Sequence, residues 1–376
     1  MQSRMARQLS FLFAEEDKSC RLSYDASPSV QGAEPQPLKT VAGEDNRNIP
    51  GMNSFTVTTG PKLMPEQGRK YRLITRGDMD GLVCAIILKE LDVVAEVLFA
   101  HPNDMQHGRI EVDADNITTN LPYAGDVYMC FDHHASEVIR VGEQARNHII
   151  DAQSPSSSRI VFEYFGGRDN PALKNITDDM MEAADRSASA RFTRNDILHP
   201  ERWILLAFIM DARTGLGRFR DFTISNDELL MKMIDWFRDQ SIDHVLALPD
   251  VRERVDLYLK HKIQCRAQLE RCSTLHKNLI VLDLRRDKIW AGNRFMIYAL
   301  FPRCNISLHI LRGKNGQNTV FTVGKSILNR TSNTHVGRLM LEYGGGGHEE
   351  VGTCQVENDQ VGRVLRELIS RINADG

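Results

Sequence analysis

The chain has no Cys-x-x-Cys pair, and its seven cysteines, an odd number, lie scattered over 376 residues. This argues against both a thiolate zinc site and a disulfide framework, and the expected location is a reducing cytoplasm. No apolar stretch approaches the ~18 residues that a membrane-crossing helix needs, so no membrane partner is expected. A secretory start is missing too, since Glu15-Glu16-Asp17 closely follows the short apolar piece near the beginning. Basic excess is absent: the formal net charge is −3. Wrapping of long nucleic acid needs a basic face that releases counterions, which leaves room only for a local basic pocket.

What remains is ordinary for a soluble protein of two or three domains, with 41% hydrophobic and 26% charged residues. Residues 1–67 mix Ser, Pro, Gln and Gly without sustained period, and a disordered extension is expected there because little apolar area could offset the ordering entropy.

Three apolar runs end in acidic residues. Val127-Tyr128-Met129-Cys130-Phe131 closes on Asp132-His133-His134, and Tyr71-Arg72-Leu73-Ile74-Thr75 leads into Arg76-Gly77-Asp78-Met79-Asp80-Gly81. Trp203 to Met210 ends at Asp211-Ala212-Arg213-Thr214-Gly215. Parallel sheets carry their sites at such strand ends. Two imidazoles behind a carboxylate can hold a divalent cation, and alternating Asp78 and Asp80 point the same way. Each run also has a plainer reading: a solvated loop with incidental histidines, a helix capped by Asp80, a buried helix or strand ending at an Asp cap.

Strands are expected near 70–75, 94–99, 109–112, 127–131 and 148–150, with helices at 82–91 and 156–165 between them. That alternation implies an α/β fold, a mostly parallel sheet with helices on both faces. Further helices are read at 178–185, 195–210 and 226–238, then a long connecting one over Val251–Leu275. After it come strands near 279–284, 294–301, 304–312 and 318–325, a helix over 336–343, a glycine run, a strand at 353–356 and a final helix. This is a second, smaller α+β domain, and the cleft between the two is the expected substrate site.

Taken together, Asp78-x-Asp80-Gly81, Asp132-His133-His134, the lone Asp211 before Thr214-Gly215, and Gly344-Gly345-Gly346-Gly347-His348 resemble the DHH phosphoesterase superfamily with its DHH-associated C-terminal domain. The resemblance covers about residues 70–357 and looks closest to the exopolyphosphatase-related, nanoRNase-like bacterial branch. It implies a DHH domain over 68–248, a connecting helix over 249–277 and a substrate-binding domain over 278–376. It further implies that Asp78 holds a first metal and that Asp80, His133 and Asp211 hold a second, while Asp132 orients His133 and His134 faces the substrate phosphate. Arg213 and Arg330 would clamp phosphate, and Gly344 to Gly347 would offer bare backbone N–H groups beside the donor His348.

Two positions depart from the family pattern. Ile74 stands where a histidine is usual, and the bridging aspartate of the second motif falls on Asn116, with Asp115 or Asp113 able to replace it by a shift of register. Oxygen and nitrogen donors without thiolates suit manganese, with magnesium or cobalt as substitutes. The function implied is metal-dependent hydrolysis of phosphodiesters in short oligonucleotides or dinucleotides. The alternatives are an exopolyphosphatase acting on polyphosphate and a nucleotide sensor with a weakened metal site. A nucleotidase should stack a base on an aromatic such as Tyr343. A homodimer is compatible with this pattern.

Overall fold

The computed structural model describes residues 62–142, 145–216 and 222–376. Most of the extension expected to be disordered therefore lies outside the described residues. Its last residues do not hang free: Leu63 and Met64 accept hydrogen bonds on their carbonyls from Tyr164 Oη at 2.6 Å and Tyr128 Oη at 2.7 Å.

The first unit is built on β1 (Tyr71–Arg76), β2 (Val94–Ala100), β3 (Asn116–Thr119), β4 (Met129–Asp132) and β5 (His148–Ile150), a parallel sheet in the order β2-β1-β3-β4-β5. Around it run α1 (Met79–Glu90), α2 (Pro102–Gln106), α3 (Ala135–Val141), α4 (Ser157–Tyr164), α5 (Asp178–Ala188), α6 (Arg194–Leu198), α7 (Arg202–Met210), α8 (Asn226–Trp236) and α9 (Ile242–Ala247). Every residue of α1 from Met79 to Leu88 is buried, because the helix packs on β1 and is enclosed by α4, α5 and α8. That explains a helix that is apolar all round rather than striped. Its glycine is demanded by the entry turn: a Cβ on Gly81 would sit 1.9 Å from the Arg76 carbonyl.

α10 (Pro249–Cys272) leads to the second unit. There β6 (Ser273–His276), β7 (Leu279–Asp283), β8 (Ile306–Arg312), β9 (Thr319–Lys325), β10 (Gly346–Gly347) and β11 (Val351–Val356) form a mixed sheet in the order β10-β11-β9-β8-β7-β6. One face, with Leu279, Val281, Leu308, Ile310, Phe321 and Val323, is covered by α12 (Val336–Glu342) and α13 (Val361–Asp375). The other face, through Ile280, Leu282 and Leu284, meets α11 (Met296–Leu300), Cys265 and Leu269 of α10, and Phe192, Ile204 and Phe208 of the first unit. This shared apolar layer is what fixes one unit on the other.

The α/β class and most elements fall where the sequence places them. Four do not. Residues 109–112 are not a strand; the third strand is Asn116–Thr119. Residues 294–301 contain the helix Met296–Leu300 instead of a strand. The connecting helix stops at Cys272, and Ser273–His276 pairs with β7. The helix expected over 195–210 is split into α6 and α7 around His199-Pro200-Glu201, since proline cannot donate to the preceding turn. Among the described residues no helix is long and apolar enough to cross a membrane.

Candidate active site

The carboxyl ends of β1, β3 and β4 gather the polar residues. Asp78 is the N-cap of α1, accepting from Gly81 N at 3.0 Å, and so takes the capping role the sequence offered to Asp80. The same carboxylate accepts from Asn120 Nδ2 at 3.0 Å and pairs with Arg76 at 3.0 Å.

One turn further in, Asp80 is buried and receives the N–H groups of Ser157 at 3.0 Å and Ser158 at 2.8 Å, the positive end of α4. Burial raises the Asp80 carboxyl, and Asp78 adds to the rise, against the opposing pull of His133. His133 Nε2 lies 3.8 Å from Asp80 Oδ2, too far for a hydrogen bond.

The aspartate of the Asp-His-His triplet orients the other histidine. Asp132 Oδ1 accepts from His134 Nδ1 at 2.7 Å, not from His133. Burial alone would lower the His134 imidazole, but the bond and charge of Asp132 outweigh it and hold His134 above its ordinary value. Asp132 Oδ2 is buried with no partner among the described residues. Asp132 thereby favours the charged form of His134 at the rim.

Asp211 follows α7 and is gripped twice. Arg213 Nε and Nη2 reach its two oxygens at 2.6 and 2.8 Å, and Arg294 Nε reaches Oδ2 at 3.2 Å. Burial pushes the Asp211 carboxyl up, yet the two guanidiniums more than offset this and hold it well below the usual carboxylate range. Asp78, Asp80, Asp211, Arg213 and Arg294 line one small cavity.

Asn116 and Asp115 do not belong to this cluster. In the parallel register Asn116 stands opposite Arg72, at the start of β3, while the site is at the strand's other end. Its Nδ2 donates to Asp113 Oδ1 at 2.6 Å, and Asp115 is held by Arg69. The residue at the tip of β3 is Asn120, whose left-handed backbone (φ 55°) turns its amide onto Asp78. Ile74 is a core residue, packed with Ala100, Met105 and Leu121.

The glycine run is also used differently from the expectation. The N–H groups of Gly344, Gly345 and His348 are already given to the carbonyls of Leu341, Met340 and Val351, so they form no open phosphate cradle. Glycine is needed there for packing, since a Cβ on Gly345 would lie 2.0 Å from the Thr353 carbonyl. Gly345→Ala is expected to cost roughly 1–3 kcal/mol, read from the urea midpoint; an unchanged midpoint would return the run to a binding role. Arg330 reaches the Ala190 carbonyl at 3.4 Å and thus bridges the two units. His348 sits at the turn between β10 and β11. Tyr343 lies in a separate cleft with Glu342, Gln355 and Glu367.

Among the described residues no three His, Cys, Asp or Glu side chains converge as a finished metal cage. The donors nevertheless fit an oxygen- and nitrogen-preferring ion. The 3.8 Å gap between His133 and Asp80 is of a size that two ligand distances of roughly 2.1 Å can span. Arg294 escaped the sequence reading because it lies in an apolar run taken for a strand. Asn120 escaped because β3 was placed elsewhere.

No protein-family model matches the chain, and no curated protein matches it. Among solved structures, a pGpG-specific phosphodiesterase, PggH from Vibrio cholerae, is 48% identical with a TM-score of 0.74, covering 82% of this chain and 100% of that one. RecJ in complex with Mn2+ from Thermus thermophilus is 13% identical with a TM-score of 0.45, covering 82% of this chain and 52% of that one. A family II inorganic pyrophosphatase from Methanococcus jannaschii is 12% identical with a TM-score of 0.25, covering 77% and 93%. The last two are too remote to argue from. The identity to PggH spans the whole of that enzyme, and the aspartate- and histidine-bearing strand ends stand at one rim: this chain is a phosphoesterase and belongs to the DHH superfamily.

Proposed function

We propose that this phosphoesterase cleaves short linear dinucleotides of the pGpG type into mononucleotides, with a divalent cation in the Asp78, Asp80, His133 and Asp211 cluster. The observation that carries the reading is the 48% identity to a pGpG-specific enzyme over its full length. Manganese is the first choice of ion, with magnesium or cobalt as substitutes. Such an ion supplies a more acidic water and neutralises charge developing on phosphate oxygens.

The chain's own groups do the rest. Asn120 and the α1 N-terminus hold Asp78 in place. The α4 N–H groups hold Asp80 oriented towards His133. Asp132 orients His134 at the rim and favours its charged form, which can meet a phosphate oxygen. In the net reaction the water oxygen bonds to phosphorus and the bond to the 3′ oxygen breaks. That oxygen takes the proton, and two 5′-mononucleotides leave.

The test is to incubate the full chain and Mn2+ with linear pGpG, cyclic di-GMP, a five-nucleotide RNA and polyphosphate. Rapid conversion of pGpG to GMP, stopped by excess EDTA and restored by Mn2+, is the expected result. Orthophosphate release from polyphosphate with pGpG left intact would replace the reading by the anhydride hydrolase. Turnover that survives EDTA would remove the metal from it.

A further inference from the structure

The crossing from β7 to α11 brings two residues of the second unit, Arg294 and Phe295, into a pocket otherwise lined by the first. Its path is fixed by backbone docking. Gly292 N donates to Thr214 O at 3.0 Å, three residues beyond Asp211, and Ala291 is buried in the first unit's core. Gly292 can come this close only without a side chain, since a Cβ there would meet Cys265 Sγ at 2.2 Å. Arg294 follows, with its guanidinium 4.0 Å over the Phe295 ring and its Nε on Asp211.

Charge around Asp211 does not balance in pairs. One carboxylate carries two guanidiniums, of which Arg213 already takes both oxygens in a fork. Among the described residues the hydrogen bond from Arg294 uses Nε alone, so the Nη side of its fork is left for another acceptor. Asn293, one residue earlier, has its amide Nδ2 buried with no partner among the described residues. Two guanidiniums at one carboxylate offer more donors than Asp211 can take, and once a bound cation offsets the cavity's other carboxylates, Asp78 and Asp80, those donors would suit an oxyanion with several acceptors. Phosphate is such a group, and arginine recognises it through the planar fork.

We propose that Arg294 is a phosphate-binding residue of this active site, delivered by the second unit and kept on Asp211 until a divalent cation takes that carboxylate. The inference rests on the phosphodiesterase reading and adds to it an exchange of partners. Asp211 cannot serve a metal ion while both arginines occupy its oxygens, and the arginines, once displaced, find the substrate's non-bridging oxygens within the same pocket. Burial first, and Arg213 second, lower the Arg294 guanidinium to about 10, so it keeps its charge at neutral pH. A cation that competes for Asp211 in the empty site and binds phosphate in the filled one couples metal loading to substrate loading.

Arg294→Gln and Arg294→Lys test this by two readouts. Free Mn2+ is followed by electron paramagnetic resonance without phosphate, and inorganic phosphate is titrated calorimetrically into the Mn2+-loaded protein; KM for pGpG is measured beside them. With glutamine, phosphate Kd and KM are expected to rise roughly ten- to hundredfold, while Mn2+ binding is unchanged or tighter because a competitor is gone. Lysine keeps the charge without the fork and should fall between. Phosphate affinity and KM equal to wild type, or loss of Mn2+ binding at unchanged phosphate affinity, would make Arg294 a structural strut and overturn the proposal. If glutamine does not fold, the lysine variant decides, and phosphate binding equal to wild type again overturns it. A wild-type protein that leaves pGpG intact counts against the proposed function, whereas the phosphate titration still judges Arg294.

Discussion

His133→Ala is expected to lower kcat on pGpG by roughly a hundred- to a thousandfold while leaving the unfolding midpoint close to wild type. The imidazole makes no hydrogen bond with Asp80, only a 3.8 Å approach across a gap, and it lies tilted at 54° against His134 with ring centres 4.5 Å apart. Little packing is therefore lost with it. What is lost is the nitrogen donor opposite Asp80 in the proposed cluster, which would leave the carboxylates to hold the ion. Turnover within a few-fold of wild type at saturating Mn2+ would remove His133 from the reaction. A large loss of stability would show that the ring holds the rim together.

Asp211→Ala is expected to abolish turnover as well, but with a second signature. Removing this carboxylate leaves Arg213 and Arg294 facing each other without their shared counterion. A fully buried broken pair costs roughly 3–5 kcal/mol. Here the arginine side chains keep 29% and 35% of their exposure, so solvent screens part of the repulsion and about 2 kcal/mol is expected. Urea denaturation of the metal-free protein measures it. The pH dependence follows from the depressed Asp211 carboxyl: its stabilisation is complete above the unfolded value of about 3.9 and is lost as pH falls further towards the folded value. The gap between wild type and variant should therefore be constant at neutral pH and close in strong acid. A variant as stable as wild type would mean that the arginines find other partners, which is the exchange argued for Arg294 taking place without metal.

The strands with strong apolar runs were legible, and the one with polar side chains was not. β4 reads directly as Met129-Cys130-Phe131, and β1 as Leu73-Ile74 within its run. β3 is Asn116-Ile117-Thr118-Thr119, three polar residues in four, all buried, with Thr119 Oγ1 donating to Thr75 Oγ1 at 2.7 Å inside the sheet. A sequence shows the polarity of such threonines but not the partner that satisfies it. Meanwhile Arg109-Ile110-Glu111-Val112 alternates like a half-buried strand and is not one. The misplaced strand displaced the reading of its tip, which falls at Asn120 and not at Asn116. The error at Arg294 has a different cause. Phe295 to Phe301 is apolar without a break, and a short buried helix and a buried strand cannot be told apart by periodicity there. Asp78, Asp80, His133 and Asp211 stand out in the sequence because each closes or follows a strong apolar run.

The layer in which Phe192, Ile204 and Phe208 meet Ile280, Leu282, Phe295 and Met296 also bears on how this protein can change over generations. A second sheet that merely hung from the long helix could be swapped for another, as a cassette is. Here the exchange would expose apolar residues on both sides and withdraw Arg294 from Asp211 in the same stroke. The two halves are thus bound to a common history, and a substitution at Gly292 or Thr214 is answerable to both of them at once.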